Sequence, residues 1–141
     1  AELKGRRLTA MSAKGACLVG MDLTGAQLQG ANLEGADMRA AVLAGADLRG
    51  ARLVGANLTK ADLRQALLSP LPLGVNRATT THVERARLCY ANLTGADLAG
   101  AMLDEADLRG ADVTGAQLKG AGLRGVDVSA VIGFDLDQQA A

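Results

Sequence analysis

A five-residue period runs through this chain almost without a gap. From Ala26 to Leu68 it reads AQLQG ANLEG ADMRA AVLAG ADLRG ARLVG ANLTK ADLRQ ALL, one unit of the form A-(D/N)-L-x-G repeated in phase. Unit centres fall on every position ending in 3 or 8, from Leu3 to Val128, which makes 26 units. Leu is the centre of 20 of them; the others carry Ala13, Met38, Ala78, Val83, Val113 and Val128. Ala stands two residues before the centre in 19 units, and Gly two residues after it in 15, which takes up 15 of the chain's 18 glycines. A short fixed period is read before any other signal because it governs the whole fold.

Ordinary elements cannot use this period. On an α-helix a step of five advances about 140° net, so the leucines would spray around the axis. On a flat strand an odd step flips faces, so they would point alternately to each side. Within one unit, however, Ala and Leu are two apart and share one face of a short extended segment. Gly then permits a bend that other residues resist. A chain that runs briefly extended, turns and repeats winds into a coil with Ala and Leu inside. Stacked coils then satisfy each other's backbone groups, as in solenoids.

Units such as Ala31-Asn32-Leu33, Ala46-Asp47-Leu48, Ala56-Asn57-Leu58 and Ala96-Asp97-Leu98 resemble the pentapeptide-repeat family. The resemblance covers roughly residues 1–130. It implies an all-β fold, a right-handed quadrilateral parallel β-helix with four units per coil, the central and small residues facing inward. Twenty-six units then make about 6.5 coils and, at about 4.8 Å per coil, a rod of roughly 31 Å. The near absence of rings (Tyr90, Phe134, no Trp) suits a narrow bore.

Bulk properties bound the function. At 141 residues the chain is one domain. Fifteen basic residues balance fifteen acidic ones, which argues against direct nucleic-acid binding and gives little support to a uniformly acidic surface. There is no membrane-spanning apolar run and no secretory signal pattern. Ala1 already sits in phase, which suggests a domain cut from a longer chain. Two thiols, Cys17 and Cys89, fit a cytoplasmic location weakly. Counting four units per coil puts them in different columns, too far apart for a disulfide.

Three segments depart from the repeat. In residues 1–25, Arg6, Met11 and Met21 replace the small inward residue, which reads as a looser first coil. In 69–85 (SPLPLGVNRATTTHVER) two prolines remove backbone donors and Gly leaves the turn position. Two readings stand: an irregular coil with Leu73, Ala78 and Val83 as centres, or a loop or bulge over about 69–80 with Thr81–Arg85 back in the helix. The second is favoured, because Pro70, Pro72 and an inward Asn76 suit a coil poorly. In 131–141 the pattern stops, and Val131, Ile132, Phe134 and Leu136 form an apolar group that reads as a cap or tail over the last coil, or as a dimer contact.

No nucleophile–base set, phosphate loop or metal spacing is present in the sequence, so no catalytic, cofactor or metal residue is assigned and an enzyme is not expected. Asx residues before the centres (Asn32, Asp37, Asp47, Asn57, Asp62) read as turn stabilisers. Outward residues twenty apart should stack, so Arg64, Glu84, Asp104 and Arg124 would form one mixed-sign ladder. The candidate interaction residues are Arg77, His82, Glu84, Arg85 and Arg87, a basic cluster beside the interruption, because binding residues concentrate on loops held by rigid scaffolds. The leading expectation is a non-catalytic scaffold for an unknown protein partner, with a homodimer through the C-terminal end as one form of association. The alternative, implied by the resemblance, is a DNA-mimicking binder of bacterial DNA gyrase or topoisomerase IV that confers fluoroquinolone or toxin resistance.

Overall fold

The computed structural model describes residues 2–135, 137 and 138. Its backbone is a stack of coils joined by single parallel bridges between residues twenty apart, such as Asp22↔Val42, Gln27↔Asp47, Asn32↔Arg52 and Asp37↔Asn57. These bridges fall into four columns, which are the four walls of a β-helix. Each wall segment is too short to count as a strand. The residue before each centre supplies the bridge.

The hydrogen bonding follows directly from the unit. The centre N–H donates to the carbonyl before the next coil's centre (Leu23 N to Val42 O, 2.7 Å). The turn-position N–H donates to the carbonyl after that centre (Gly25 N to Ala44 O, 2.9 Å). The pre-centre N–H reaches back to the small residue of the preceding coil (Asp47 N to Ala26 O, 2.9 Å). Within a corner, Ala26 N donates to Leu23 O at 2.9 Å and Gly25 sits at φ +66°, the positive value a type II turn places at its third residue. Where Gly is missing the corner keeps this shape: Ala40, Lys60, Gln65, Arg85, Tyr90 and Glu105 all have φ between 57° and 62°. Each such residue costs about 1 kcal/mol or more, and the stack imposes it.

Ala and the centres face inward and form one continuous core. Leu48 is fully buried and Leu98 nearly so. Full burial of such a side chain contributes roughly 1.5–3 kcal/mol. The first coil is looser: Leu3, Leu8, Met11, Leu18 and Met21 are only partly buried, and Arg6 is exposed.

The stack is interrupted once between Leu68 and Thr81. Bridges on either side skip thirty residues instead of twenty: Arg52↔His82, Asn57↔Arg87, Asp62↔Asn92 and Leu67↔Asp97. Residues 71–80 stand outside the ladder. They form a hairpin of β1 (Leu71–Gly74) and β2 (Arg77–Thr79), antiparallel, with a bulge between Pro72 and Gly74. Leu73 and Ala78 are therefore exposed hairpin residues, not core centres.

This jump corrects the column assignments made by counting twenty residues. Leu88 stacks over Leu58, not Leu48, because Leu58 N donates to Arg87 O. Glu84 stacks over Val54 and Glu34, while Arg64 stacks under Thr94. The ladder expected from Arg64 through Arg124 is really Glu34, Val54, Glu84, Asp104 and Arg124. Cys17 and Cys89 share a wall after all, separated by the coils of Asp37 and Asn57, so stacking distance alone keeps them apart.

Two results are expected. Leu48→Asp or Leu98→Asp should each destabilise the rod by more than about 4 kcal/mol, because a carboxylate would sit unpaired in an apolar bore; urea unfolding would show it. Deleting residues 71–80 together with Pro70→Gly should leave the rod folded, with a Tm within about 5 °C of wild type, because ten residues are two whole units and a glycine at 70 supplies the corner N–H and positive φ that proline cannot.

Candidate functional site

The interruption is built with care at its base. In an unbroken corner, Gly50 N–H would donate to Ser69 O, as Gly45 N donates to Arg64 O. Here the Thr81 hydroxyl enters that gap. Gly50 N–H donates to Thr81 Oγ1 (2.8 Å), and Thr81 Oγ1 donates to Ser69 O (3.0 Å). Thr81 occupies the small inward position and is the one fully buried polar residue among those described. Its side chain replaces a missing backbone rung. Sequence reading placed Thr81 inward but did not see this role; a Thr standing in the Ala column directly after a break is the signal that could have shown it.

Glycines seat the hairpin. A Cβ at Gly50 would lie 3.0 Å from Leu71 Cβ and 3.4 Å from Thr79 Cγ2. A Cβ at Gly100 would lie 3.1 Å from Pro70 Cδ. The base is thus wedged between two corners of the stack. The tip is free. Val75 is 89% exposed and Leu73 50% exposed. The turn between the strands uses Gly74 at φ +138° and Asn76 at φ +58°, the latter a conformation Asn tolerates better than most residues.

The structure spreads the five sequence-chosen residues over four places. Arg77 lies in β2 and is exposed. His82 and Glu84 lie on the adjoining wall, where His82 Nδ1 is 3.1 Å from Glu84 Oε2. Arg85 forms the next corner at φ +57°, and Arg87 stands exposed on the wall beyond it. The apolar tip residues Leu73 and Val75 were not among those chosen, because the choice followed charge.

The walls are lined with short, local polar pairs. Arg39, Arg49 and Arg64 each donate twice through their side chains to the Asp two residues earlier, at 2.7–2.9 Å. Thr24, Thr59, Thr94 and Thr114 donate to Asp22, Asn57, Asn92 and Asp112 at 2.6–2.7 Å. Arg52 crosses one coil to Glu34 at 3.2 Å. Such exposed pairs add little to stability because water and salt screen them, but they fix side-chain direction. The Thr24 hydroxyl holds Asp22 below the usual carboxylate range, and the Arg39 and Arg64 side chains do the same for Asp37 and Asp62. Cys89 is buried, and that burial, with Asp107 beside it, pushes its thiol up and away from reactivity. No group of three metal-ligating side chains is brought together among the described residues.

At the other end the stack continues past Val128 through a short 3-10 helix (Val128–Ala130) to a bridge between Asp112 and Ile132. Val131 and Phe134 pack against the core, while Ile132 is 57% exposed. Leu136 lies outside the described residues. Gln138 Nε2 donates to Ala116 O (2.8 Å) and Val113 O (3.3 Å), covering carbonyls of the last coil. Sequence reading had given Gln138 no role.

A family model for pentapeptide repeats matches eight copies over residues 12–43, 31–69 and 84–120. The chain belongs to the pentapeptide-repeat family, whose fold is the β-helix solenoid. The chain is similar to HetL, a pentapeptide-repeat protein involved in heterocyst differentiation regulation in the cyanobacterium Nostoc sp. strain PCC 7120, at 27% identity over 94% of this chain and 81% of that one (TM-score 0.31). It is similar to a pentapeptide-repeat protein of the Arabidopsis thaliana thylakoid lumen at 31% identity over 86% and 70% (TM-score 0.28). It is also similar to trypsin-treated QnrB1, a plasmid-mediated fluoroquinolone resistance protein, at 22% identity over 94% and 70% (TM-score 0.43). No curated protein sequence matches. No helix among the described residues is long and apolar enough to cross a membrane.

Two measurements follow. Gly50→Ala and Gly55→Ala share nearly the same backbone cost, at φ +72° and +69°, but only Gly50 meets the hairpin. Gly50→Ala should therefore be the more destabilising in thermal melts, and the difference should vanish once residues 71–80 are deleted together with Pro70→Gly. The lowered Asp22, Asp37 and Asp62 make stability that is fully present above the unfolded value of about 3.9 and is lost as pH falls through the folded values. The urea midpoint should hold from about pH 7 to 5 and drop below about pH 4.

Proposed function

We propose that this chain is a non-catalytic interaction module: a right-handed quadrilateral rod that offers a protein partner a rigid, pre-oriented surface. The observation that supports this most is the pinned lattice of its walls. Nearly every pre-centre Asx is tied to a neighbour two residues on, and no buried side-chain N or O atom among the described residues lacks a partner. A surface ordered in advance loses little entropy on binding. The contact region is the segment from Arg77 to Arg87: Arg77 stands on the hairpin, and His82, Glu84, Arg85 and Arg87 lie on the walls and corner beside it. Val131 and Phe134 pack over the C-terminal end of the core, and a homodimer would meet there through the exposed Ile132; Ile132→Asp should abolish any dimer seen by analytical ultracentrifugation. The working compartment is a cytoplasm.

The narrower alternative is a DNA-shaped binder of gyrase or topoisomerase IV. It draws on the resistance function of QnrB1. It requires a long acidic stripe, yet each carboxylate column is broken by a cation or neutral residue, as in Glu34, Val54, Glu84, Asp104, Arg124. The broader reading therefore leads.

Immobilised protein should retain a partner from its source cell that the unfolded Leu48→Asp variant does not. Equal retention by both would overturn the reading. In a gyrase supercoiling assay at low and high salt, with and without a fluoroquinolone, no effect is expected; salt-sensitive inhibition or drug protection would install the alternative.

A further inference from the structure

We propose that the hairpin tip is a side-chain epitope for a folded protein that offers an apolar cleft with a carboxylate at its rim, Leu73 and Val75 entering the cleft and Arg77 meeting the carboxylate. This rests on the reading of the chain as an interaction module.

The exposure is the first observation. Val75, 89% exposed, and Leu73, 50% exposed, stand at the end of a ten-residue projection, where nothing in the stack covers them. The second is rigidity at the base. Leu71 and Thr79 are wedged against Gly50, Pro70 against Gly100, and Thr81 locks the return. Anchored in this way, the tip keeps a fixed place on the stack, so a partner that binds it has little chain to order. The third is charge. Arg77 is the one charged residue between Ser69 and His82, is exposed, and joins no ion pair among the described residues. Its natural complement is a carboxylate.

Other occupants fit less well. Strand addition needs a clean edge, but Pro72 lacks an N–H and the bulge between Pro72 and Gly74 breaks the register of β1. A second copy docking tip to tip would set Arg77 against Arg77. An anionic membrane would meet no net positive charge on the wall that begins beside the hairpin, where Glu34, Glu84 and Asp104 offset Lys14, Arg52 and Arg124.

The test uses p-benzoyl-phenylalanine as a photo-crosslinker in the full chain, expressed in the source cell. One set carries it at Val75. Four control sets carry it at Lys4, Lys119, Lys14 or Arg39, an exposed position on each wall. Crosslinking from Val75 to one protein, at a peptide that maps to an apolar cleft with Asp or Glu beside it, is expected. With that protein purified, Leu73→Ser combined with Val75→Ser should weaken binding at least about tenfold. Arg77→Glu should weaken it more than Arg77→Lys. Circular dichroism of each variant would show the rod intact. Crosslinks from wall positions with none from Val75 would overturn the hairpin epitope and leave the interaction module standing. No crosslink from any of the five positions would overturn both. Binding to phosphatidylcholine–phosphatidylserine vesicles that is lost on Val75→Ser would replace the protein partner with a lipid surface.

Discussion

The structure depends on backbone hydrogen bonding between coils. No wall segment is long enough to be stable alone, and no unit closes a core by itself. Each coil leaves donors and acceptors unsatisfied until the next is laid on it, as in Leu23 N to Val42 O or Asp47 N to Ala26 O. Once stacked, the same bonds bring the Ala and Leu side chains of successive coils into one continuous core. The corner conformations follow from this as well. Lys60, Gln65, Arg85 and Tyr90 accept positive φ because the ladder on both sides fixes where the chain must turn.

A fold of this kind tolerates an insertion only where the broken rung can be repaired. Between Leu68 and Thr81 the repair is a single hydroxyl that accepts from Gly50 and donates to Ser69. The inserted length matters equally. Two whole units bring the chain back with its inward residues inward, so Val83 enters the core as if nothing had intervened. What changes is the wall. His82 comes to lie beside Arg52, and Glu84 joins Glu34, giving a mixed-charge surface beside the hairpin that no counting by twenty would assemble.

The candidate site shows how far local chemistry can be read. The basic residues near the break were legible as a cluster because charge stands out against a repeat of Ala, Leu and Gly. Their division among a hairpin, a wall and a corner was not, since that depends on how many residues leave the stack. Leu73 shows what phase alone leaves open: as an in-phase Leu it suits a core centre, while the two prolines beside it favour a loop that carries it outward. Only the exposed setting of the hairpin separates it from Leu68 and Leu88.

The sequence by itself determined the unit, its inward and outward faces, the turn position and the membership of the core from Ala26 to Leu68. It did so because those properties are local: a five-residue segment contains the alternation, the small residue and the bend. The tertiary structure alone decided which units share a wall, that residues 71–80 fold on themselves, and that Thr81 and Gln138 complete the hydrogen bonding where the repeat is broken or ends. The physical reason is that every unit carries nearly the same local chemistry. A chain of equivalent units records position modulo five, while the walls depend on position modulo one full coil, and only the stacking contacts distinguish one turn from the next.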